Sequence, residues 1–414
     1  MKSSTKLHHH SAGIKQALIL LISMIIGLTA FSQRGIKWAK QGSAYFRIEK
    51  NEIVKYTLPE NTGKVIITKQ QLTPQGASEP LKISFFNFST DEEKLLIFTN
   101  TKKVWRINTR GDYWVLDTKT SSLIQLGKTL PGSSLMFTKF SPDSKSVAYV
   151  SGNNIYVEDL ASQKIKALTT NGTVTLINGT FDWVYEEEFE CRDGFRWSPD
   201  SKSIAYWQVD AGSTKKFYMI DNTDSIYSRP IPIEYPKVGE HPSPCRVGVV
   251  GVNNAQTTWI NIPGDPEQNY LVRMEFIPNN GKLLIQQLNR KQNTSRLFIA
   301  DGAKGKADLL KEETEKEWID IVQSGNKYAV DFTNNFTWLP ETNSILWVSE
   351  KDGWRHFYQV PFDGKPEKLI TEGNFDANEL KYIDPIGGVV YFMASPDNAT
   401  QNYLYRTKIN GKDT

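Results

Sequence analysis

Cysteine and histidine are scarce in this 414-residue chain. It has two cysteines, Cys191 and Cys245, and only two histidines after residue 10, His241 and His356. No Cys-x-x-Cys or His-Glu-x-x-His pattern occurs, so the common zinc-binding and dithiol redox motifs are missing, and we predict neither a metal nor a cofactor. The two cysteines leave two alternatives open: a disulfide in an oxidising compartment, or two buried free thiols.

The chain also lacks a net charge beyond its N-terminus. Its 49 Lys and Arg residues against 46 Asp and Glu residues give a formal charge of +3. Three lysines lie in the first 32 residues, which contain no acidic residue, so the remaining residues sum to zero. Nucleic-acid binding depends on a clustered basic surface that displaces counterions. We therefore predict no nucleic-acid partner.

Only one long hydrophobic run is present, over residues 17–31. It is shorter than the about 20 residues that span a bilayer as a helix. A basic start precedes it, and Ala30 and Ser32 place small residues before a cleavage point at Gln33. We predict a signal peptide over residues 1–32 and one domain over residues 33–414. The protein is expected to be exported, periplasmic or secreted, with an uncleaved membrane anchor as the alternative.

A sequence motif of about ten residues recurs along the chain. Each copy has an aromatic or apolar residue, a polar turn and an apolar β-rich stretch, which is the pattern of a hairpin. Three clear copies and three weaker ones begin at Phe88, Phe140, Trp197, Phe276, Trp338 and Ile383. Their spacing is close to the 40–50 residues of one propeller blade, with insertions in the longer intervals.

A second set of predicted strands, with alternating apolar and polar residues, follows most copies of this motif. These strands begin at Asp112, Asn154, Arg296 and His356. Two hairpins per period make a four-stranded blade, and such blades bury both faces only when they stack around an axis. We predict an all-β fold, a β-propeller of four-stranded blades with six blades visible and one or two more in the remaining sequence.

An acidic segment interrupts this pattern just before the Trp197 copy. Glu186, Glu187 and Glu188 are consecutive and lie beside Trp183 and Tyr185. Neighbouring carboxylates repel each other and tend to keep a proton unless a cation lies between them. A ligand ammonium group is such a cation and donates charge-assisted hydrogen bonds. The alternative from the residues alone is a solvated acidic loop.

The sequence Asp182-Trp-Val-Tyr-Glu-Glu-Glu resembles the double-glutamate motif of the dipeptidyl peptidase IV family, which belongs to the prolyl oligopeptidase group of serine peptidases. Segments around Arg106, from Tyr235 to Gly239 and from Ser349 to Tyr358 resemble further family segments in the same order. The resemblance implies an eight-bladed propeller that covers a C-terminal α/β-hydrolase domain with a Ser, Asp, His triad.

By this resemblance, Glu187 and Glu188 bind the free α-amine of a peptide substrate, and Arg106 contacts a substrate carbonyl. Glu186, Trp183 and Tyr185 support the local structure. An anchored amine would place only the bond after the second residue at the nucleophile, giving dipeptide release.

Three details of this assignment stay open. Arg110 is an alternative to Arg106 as the carbonyl contact. Arg192 could pair with the acidic run instead of leaving it open for an amine. A Cys191–Cys245 bridge would tie the glutamate segment to the loop that follows Tyr235.

No Gly-x-Ser-x-Gly nucleophile motif occurs in the sequence. We therefore expect the hydrolase domain to be absent from this chain, the last blade to be incomplete, and the chain to be inactive alone, as part of a longer or split gene product. The expected function is a substrate-gating, N-terminus-binding propeller of a serine exopeptidase. The expected partners are peptide N-termini, the hydrolase domain and a second copy of the protein. The alternative is a stand-alone periplasmic propeller that binds peptides or proteins without catalysis.

Overall fold

The computed structural model describes residues 36–223, 225–278, 280–321 and 336–411. The predicted signal peptide lies outside these residues. Over the described ranges, none of the helices has the length and apolar character that crossing a bilayer requires. The chain divides between Phe85 and Phe86 into two compact units. That one domain covers residues 33–414 stays a prediction.

The first unit contains a four-stranded antiparallel sheet with the strands in chain order. Its strands are β1 (Lys37–Trp38), β2 (Ala44–Glu49), β3 (Glu52–Thr57) and β4 (Thr62–Ile67). Cross-strand neighbours Trp38, Tyr45 and Tyr56 form a ladder of rings on this sheet, with Tyr45 and Tyr56 stacked 5.0 Å apart. Aromatic cross-strand pairs of this kind fix the register of a sheet.

An eight-stranded antiparallel sheet follows. Its strands are β5 (Phe85–Phe88), β6 (Lys94–Val104), β7 (Ile107–Asp117), β8 (Leu123–Gln125), β9 (Leu135–Phe140), β10 (Ser146–Ser151), β11 (Asn154–Asp159) and β12 (Ile165–Ala167). The two groups of four strands are the predicted blades, but a short pairing of Arg110 with Met136 and of Gly111 with Leu135 joins them. The long β6–β7 hairpin extends beyond its blade, and this extension makes the additional pairing.

The central part of the chain forms a five-stranded sheet and a separate two-stranded hairpin. Its elements are β13 (Leu176–Asn178), α1 (Trp183–Phe189), β14 (Phe195–Trp197), β15 (Ser203–Asp210), β16 (Lys216–Asp221), β17 (Arg229–Glu234), β18 (Cys245–Gly251) and β19 (Thr257–Trp259). The hairpin β16–β17 is inserted between β15 and β18, which pair with each other. This insertion accounts for the longest interval between copies of the repeated motif, from Trp197 to Phe276.

Three more antiparallel sheets complete the described chain. Their elements are β20 (Asn269–Phe276), β21 (Leu283–Asn289), β22 (Thr294–Asp301), β23 (Lys306–Thr314), β24 (Thr337–Leu339), a 3-10 helix (Pro340–Thr342), β25 (Ser344–Ser349), β26 (His356–Pro361), β27 (Lys368–Leu369), β28 (Ala377–Asp384), β29 (Val389–Ala394) and β30 (Tyr403–Lys408). All sheets are open. The number of blades and the closure of a ring stay predictions.

The six predicted hairpins are confirmed, each with its polar turn between two paired strands. In the second copy, Ser141 Oγ donates to Asp143 Oδ1 at 2.6 Å and accepts from Ser146 N at 3.0 Å. Ser144 has a φ of 60° and Asp143 N donates to Ser201 Oγ of the next turn at 3.1 Å. The repeated Ser-x-Asp motif therefore supplies the hydrogen bonds of a tight turn. This turn also contacts the turn of the next copy through Asp143 and Ser201.

Successive sheets of the second unit pack face to face through apolar side chains. One core cluster joins Val150 and Ile155 of one sheet to Phe195 and Tyr206 of the next. Two further clusters connect the later sheets in the same way. This layered burial agrees with the stacking that the repeats predict.

Candidate functional site

The acidic helix α1 lies in an excursion from the five-stranded sheet. Strands β13 and β14 both pair with β15, at Asn178↔Gln208 and at Phe195↔Tyr206, and residues 179–194 leave the sheet between them. The neck is narrow, because Gly194 N donates to Gly179 O at 3.0 Å and a Cβ on Gly194 would lie 2.6 Å from the Gly179 carbonyl carbon. The excursion therefore places a rigidly rooted helix outside the sheet.

The N-terminus of α1 is fixed by Asp182. Its carboxylate accepts from Tyr185 N at 3.1 Å, as an N-cap does, and from Ser243 Oγ at 2.7 Å. Burial raises the pKa of Asp182, and the bonds from Ser243 and Tyr185 N oppose that rise. The buried Tyr185 hydroxyl accepts from Leu271 N at 3.2 Å. Two long-range bonds thus attach the helix to β20 and to the segment before β18.

Glu186 points inward and is paired. Arg192 Nε donates to Glu186 Oε1 at 3.1 Å, and Arg192 Nη2 donates to Glu190 Oε2 at 2.8 Å. Glu190 ends the helix in the left-handed region, with a φ of 56°. Burial raises the pKa of Glu186, while the Arg192 charge lowers it. The sequence left open whether Arg192 pairs with the acidic run. In the structure, Arg192 binds the two inward-facing carboxylates, Glu186 and Glu190.

Glu187 binds Arg106, which lies 81 residues earlier. Arg106 Nε donates to Glu187 Oε2 at 3.0 Å and Nη2 donates to Oε1 at 2.5 Å, a two-point guanidinium–carboxylate contact. Trp105 and Arg106 form the two-residue tip of the β6–β7 hairpin, where Trp105 has a φ of 51°. Of Arg106 and the alternative Arg110, it is Arg106 that contacts Glu187.

Glu188 is exposed on the outer side of α1. Within the described part of the chain it makes no ion pair. Its charge reaches the neighbouring Tyr270, whose pKa is raised first by burial and to a smaller extent by Glu188, against the lowering effect of Arg290. The helix therefore presents two adjacent carboxylates, one held by an arginine and one open to solvent.

Trp183 of the same helix makes an aromatic contact that the sequence did not predict. The Trp183 ring packs against Tyr235 with a centroid distance of 4.5 Å, and Tyr235 packs against Phe217 at 5.7 Å. The segment from Tyr235 to Gly239 resembles a family segment, and this resemblance is the sequence signal for its importance. No local sequence pattern indicates that the Tyr235 ring packs against Trp183 of α1.

Cys191 and Cys245 are free thiols in the structure, and both are buried in the core cluster that contains Tyr185 and Phe189. Burial raises the pKa of Cys191 to about 12 and raises that of Cys245 as well. A disulfide between them stays a prediction for an oxidising environment.

A family model described as "Dipeptidyl peptidase IV (DPP IV) N-terminal region" matches residues 89–414. Proteins named "Probable dipeptidyl-aminopeptidase B" are similar to this chain. The one from Aspergillus oryzae is 26% identical over 373 residues, covering 85% of this chain and 40% of that protein. The one from Uncinocarpus reesii is 25% identical over 391 residues, covering 90% and 42%. The chain thus spans about two fifths of the length of these relatives.

The fold is similar to that of a solved peptidase. The crystal structure of Porphyromonas gingivalis dipeptidyl peptidase 4 superimposes with a TM-score of 0.81 and 25% sequence identity, over 92% of this chain and 52% of that one. This agreement supports the propeller-type arrangement of the sheets. The chain belongs to the family defined by the N-terminal region of dipeptidyl peptidase IV.

Proposed function

We propose that Glu187 and Glu188 bind the α-ammonium group of a peptide N-terminus. The observation that carries this proposal is the pair of adjacent outward-facing carboxylates on a helix that Asp182 and Tyr185 bind to other parts of the chain. Glu186 and Glu190 are occupied by Arg192, so the negative charge offered to a ligand is concentrated on the other two glutamates.

The Arg106 contact is compatible with ligand binding at Glu187. A carboxylate offers about four lone-pair positions, so two bonds from Arg106 leave room for an ammonium donor. A guanidinium carries five N–H donors and can hold Glu187 while it donates to a carbonyl oxygen. Arg106 would then bind the first carbonyl group of the peptide and fix its direction.

In the whole protein, we propose that this site selects substrates for a hydrolase domain that releases N-terminal dipeptides. The support is the similarity to proteins whose names describe dipeptidyl peptidases and aminopeptidases. Anchoring the ammonium group at a fixed distance from a nucleophile would make the site a ruler for the scissile bond. We further propose that the protein is exported, as its N-terminal sequence predicts.

Calorimetric titration with a tetrapeptide that begins Ala-Pro tests the binding site. Charge-assisted hydrogen bonds contribute about 1.5–3 kcal/mol, so we expect Glu187→Gln and Glu188→Gln each to weaken binding by about tenfold or more. The matched control is Glu312→Gln, which breaks the exposed Arg296–Glu312 pair far along the chain and should leave the affinity as it is. Equal affinities for all variants would contradict the proposed site.

A further inference from the structure

A second ion pair joins the excursion that contains α1 to the sheet that carries Arg106. The excursion, residues 179–194, returns to its own sheet at Asp193, whose carboxylate accepts two bonds from Lys139 Nζ at 2.5 and 2.6 Å. Lys139 lies on β9, which pairs with β7, and β7 forms the hairpin with β6 that has Arg106 at its tip. The Lys139–Asp193 pair and the Arg106–Glu187 pair therefore connect the same sheet to the same excursion.

The two ion pairs differ in their exposure to solvent. The Lys139 side chain is 27% exposed and that of Asp193 is 11% exposed, whereas Arg106 is 69% exposed and Glu187 is 31% exposed. An exposed ion pair gains little on its own, because water weakens the attraction and two long side chains must be ordered. The Arg106–Glu187 contact therefore needs a scaffold that already holds its two side chains close together.

A charged clamp is formed by Lys139, Asp193, Arg196 and Glu275 at the foot of the excursion. Lys139 Nζ also donates to Phe195 O at 2.9 Å and lies 3.8 Å from the centre of the Phe195 ring. Arg196 Nη1 donates to the carbonyl oxygens of Asp193 and Phe195 at 2.9 and 2.8 Å, and Arg196 Nε donates to Glu275 of β20 at 2.5 Å. Two cations and two carboxylates thus balance one another and connect three successive sheets.

The clamp lies next to the residue that holds the glutamate segment together. Asp193 follows Arg192, which binds Glu186 and Glu190. Burial lowers the pKa of Lys139 to about 8, against the raising effect of Asp193, so the Lys139 amine is charged in most molecules at pH 7. This charged amine fixes the point at which the excursion returns to its sheet, and with it the backbone position of Arg192.

We propose that Lys139 is a positioning residue for the ammonium site. By holding Asp193, it sets the distance between the excursion and the β6–β7 hairpin, so that Arg106 reaches Glu187 and stays aimed at the ligand. This inference rests on the proposed binding of a peptide N-terminus by Glu187 and Glu188. Lys139 acts on the affinity through Arg106 and not on the ligand itself.

A double-mutant cycle tests this role by calorimetric titration at pH 7 with a tetrapeptide that begins Ala-Pro. Arg106→Met is expected to weaken binding about fivefold. Lys139→Met should weaken it by a similar factor, because Arg106 then no longer meets Glu187. The double variant should also lose only about fivefold, since residues that act through one contact are not additive. Independent effects would instead multiply to about 25-fold.

The matched control is Lys311→Met, which breaks another largely buried lysine–carboxylate pair, with Glu367 at 2.8 Å, in a later sheet. It should leave the affinity as it is. Lys139→Met leaves the Asp193 carboxylate without its cation. Should this variant lose its fold by circular dichroism, the variant Lys139→Met, Asp193→Asn removes both charges and takes its place in the cycle with the same expected factors.

The outcomes separate this inference from the proposed function. If Glu188→Gln weakens peptide binding but Lys139→Met does not, the positioning role is refuted while the ammonium site stands. The same holds if the effects of Lys139→Met and Arg106→Met multiply. If the wild-type chain binds no peptide through its free amine, the proposed function fails and the positioning role fails with it.

Discussion

Replacing Arg192 by methionine should destabilise the folded chain strongly. Arg192 is 6% exposed, and its partners Glu186 and Glu190 are each 11% exposed. Methionine keeps an unbranched apolar chain of similar length but leaves two nearly buried carboxylates without their cation. Breaking a buried ion pair by removing one partner costs about 3–5 kcal/mol. We expect a loss of about 3 kcal/mol, because part of the charge can regain solvent.

The loss should depend on pH in a defined direction. Burial raises the pKa of Glu186, and Arg192 opposes this rise. A carboxyl with a raised pKa in the folded state contributes most to stability at low pH, and this contribution is lost as the pH rises through the folded pKa. Without Arg192 the folded pKa rises further. The destabilisation by Arg192→Met should therefore be larger at about pH 8 than at about pH 5.5.

Urea unfolding followed by tryptophan fluorescence measures this effect at both pH values. The double variant Arg192→Met, Glu186→Gln removes one stranded charge and should recover part of the lost free energy. The control Arg296→Met breaks the exposed pair with Glu312, and such pairs contribute at most about 1 kcal/mol. The reasoning is refuted if Arg192→Met matches the wild type, or if Glu186→Gln adds a further loss instead of rescuing.

Three further predictions concern individual side chains. Arg106→Met should weaken binding of an Ala-Pro-led peptide about fivefold or more by calorimetry; tighter binding would mean that Arg106 blocks Glu187 instead of assisting it. Tyr185→Phe leaves the buried Leu271 N–H without its acceptor and should cost about 1–3 kcal/mol of unfolding free energy in urea titrations, whereas an unchanged midpoint would argue against that bond. The raised thiol pKa values of Cys191 and Cys245 predict that iodoacetamide at about pH 8 labels the reduced chain only after unfolding; rapid labelling of the folded chain, seen by peptide mass mapping, would contradict their burial.

Local pattern was enough to predict the hairpins. The turn that begins at Ser141 is determined by six consecutive residues. Asp143 and Ser146 form its hydrogen bonds with Ser141, and Ser144 adopts its left-handed φ. The same sequence motif therefore predicts the same turn wherever it recurs. The joining of two predicted blades through Arg110 and Met136 was not predicted, because it depends on the length of one extended hairpin.

The acidic helix was predictable in part. The charge run Glu186 to Glu188 indicated a break in the strand, and Asp182 at its start is an N-cap residue that fits a helix. The contact between Arg106 and Glu187 joins residues 81 positions apart. Only resemblance to a family placed these two together, since no periodicity in the chain relates them.

Contacts made through folding decided what the sequence left open. Arg192 had two candidate roles, and the left-handed turn at Glu190 directs it toward the inward carboxylates. The Tyr235 ring reaches Trp183 because the inserted hairpin ends beside α1. Both outcomes follow from the path of the chain in three dimensions, which composition and spacing do not record.

The most direct test of the central claim is a pair of calorimetric titrations of the wild-type chain. One peptide begins Ala-Pro with a free amine, and its twin carries an acetyl group on the same nitrogen. If Glu187 and Glu188 bind an α-ammonium group, acetylation removes the charge and should weaken binding by about tenfold or more. Equal binding of the two peptides would contradict the claim, because the carboxylates would then take no part in recognising the N-terminus.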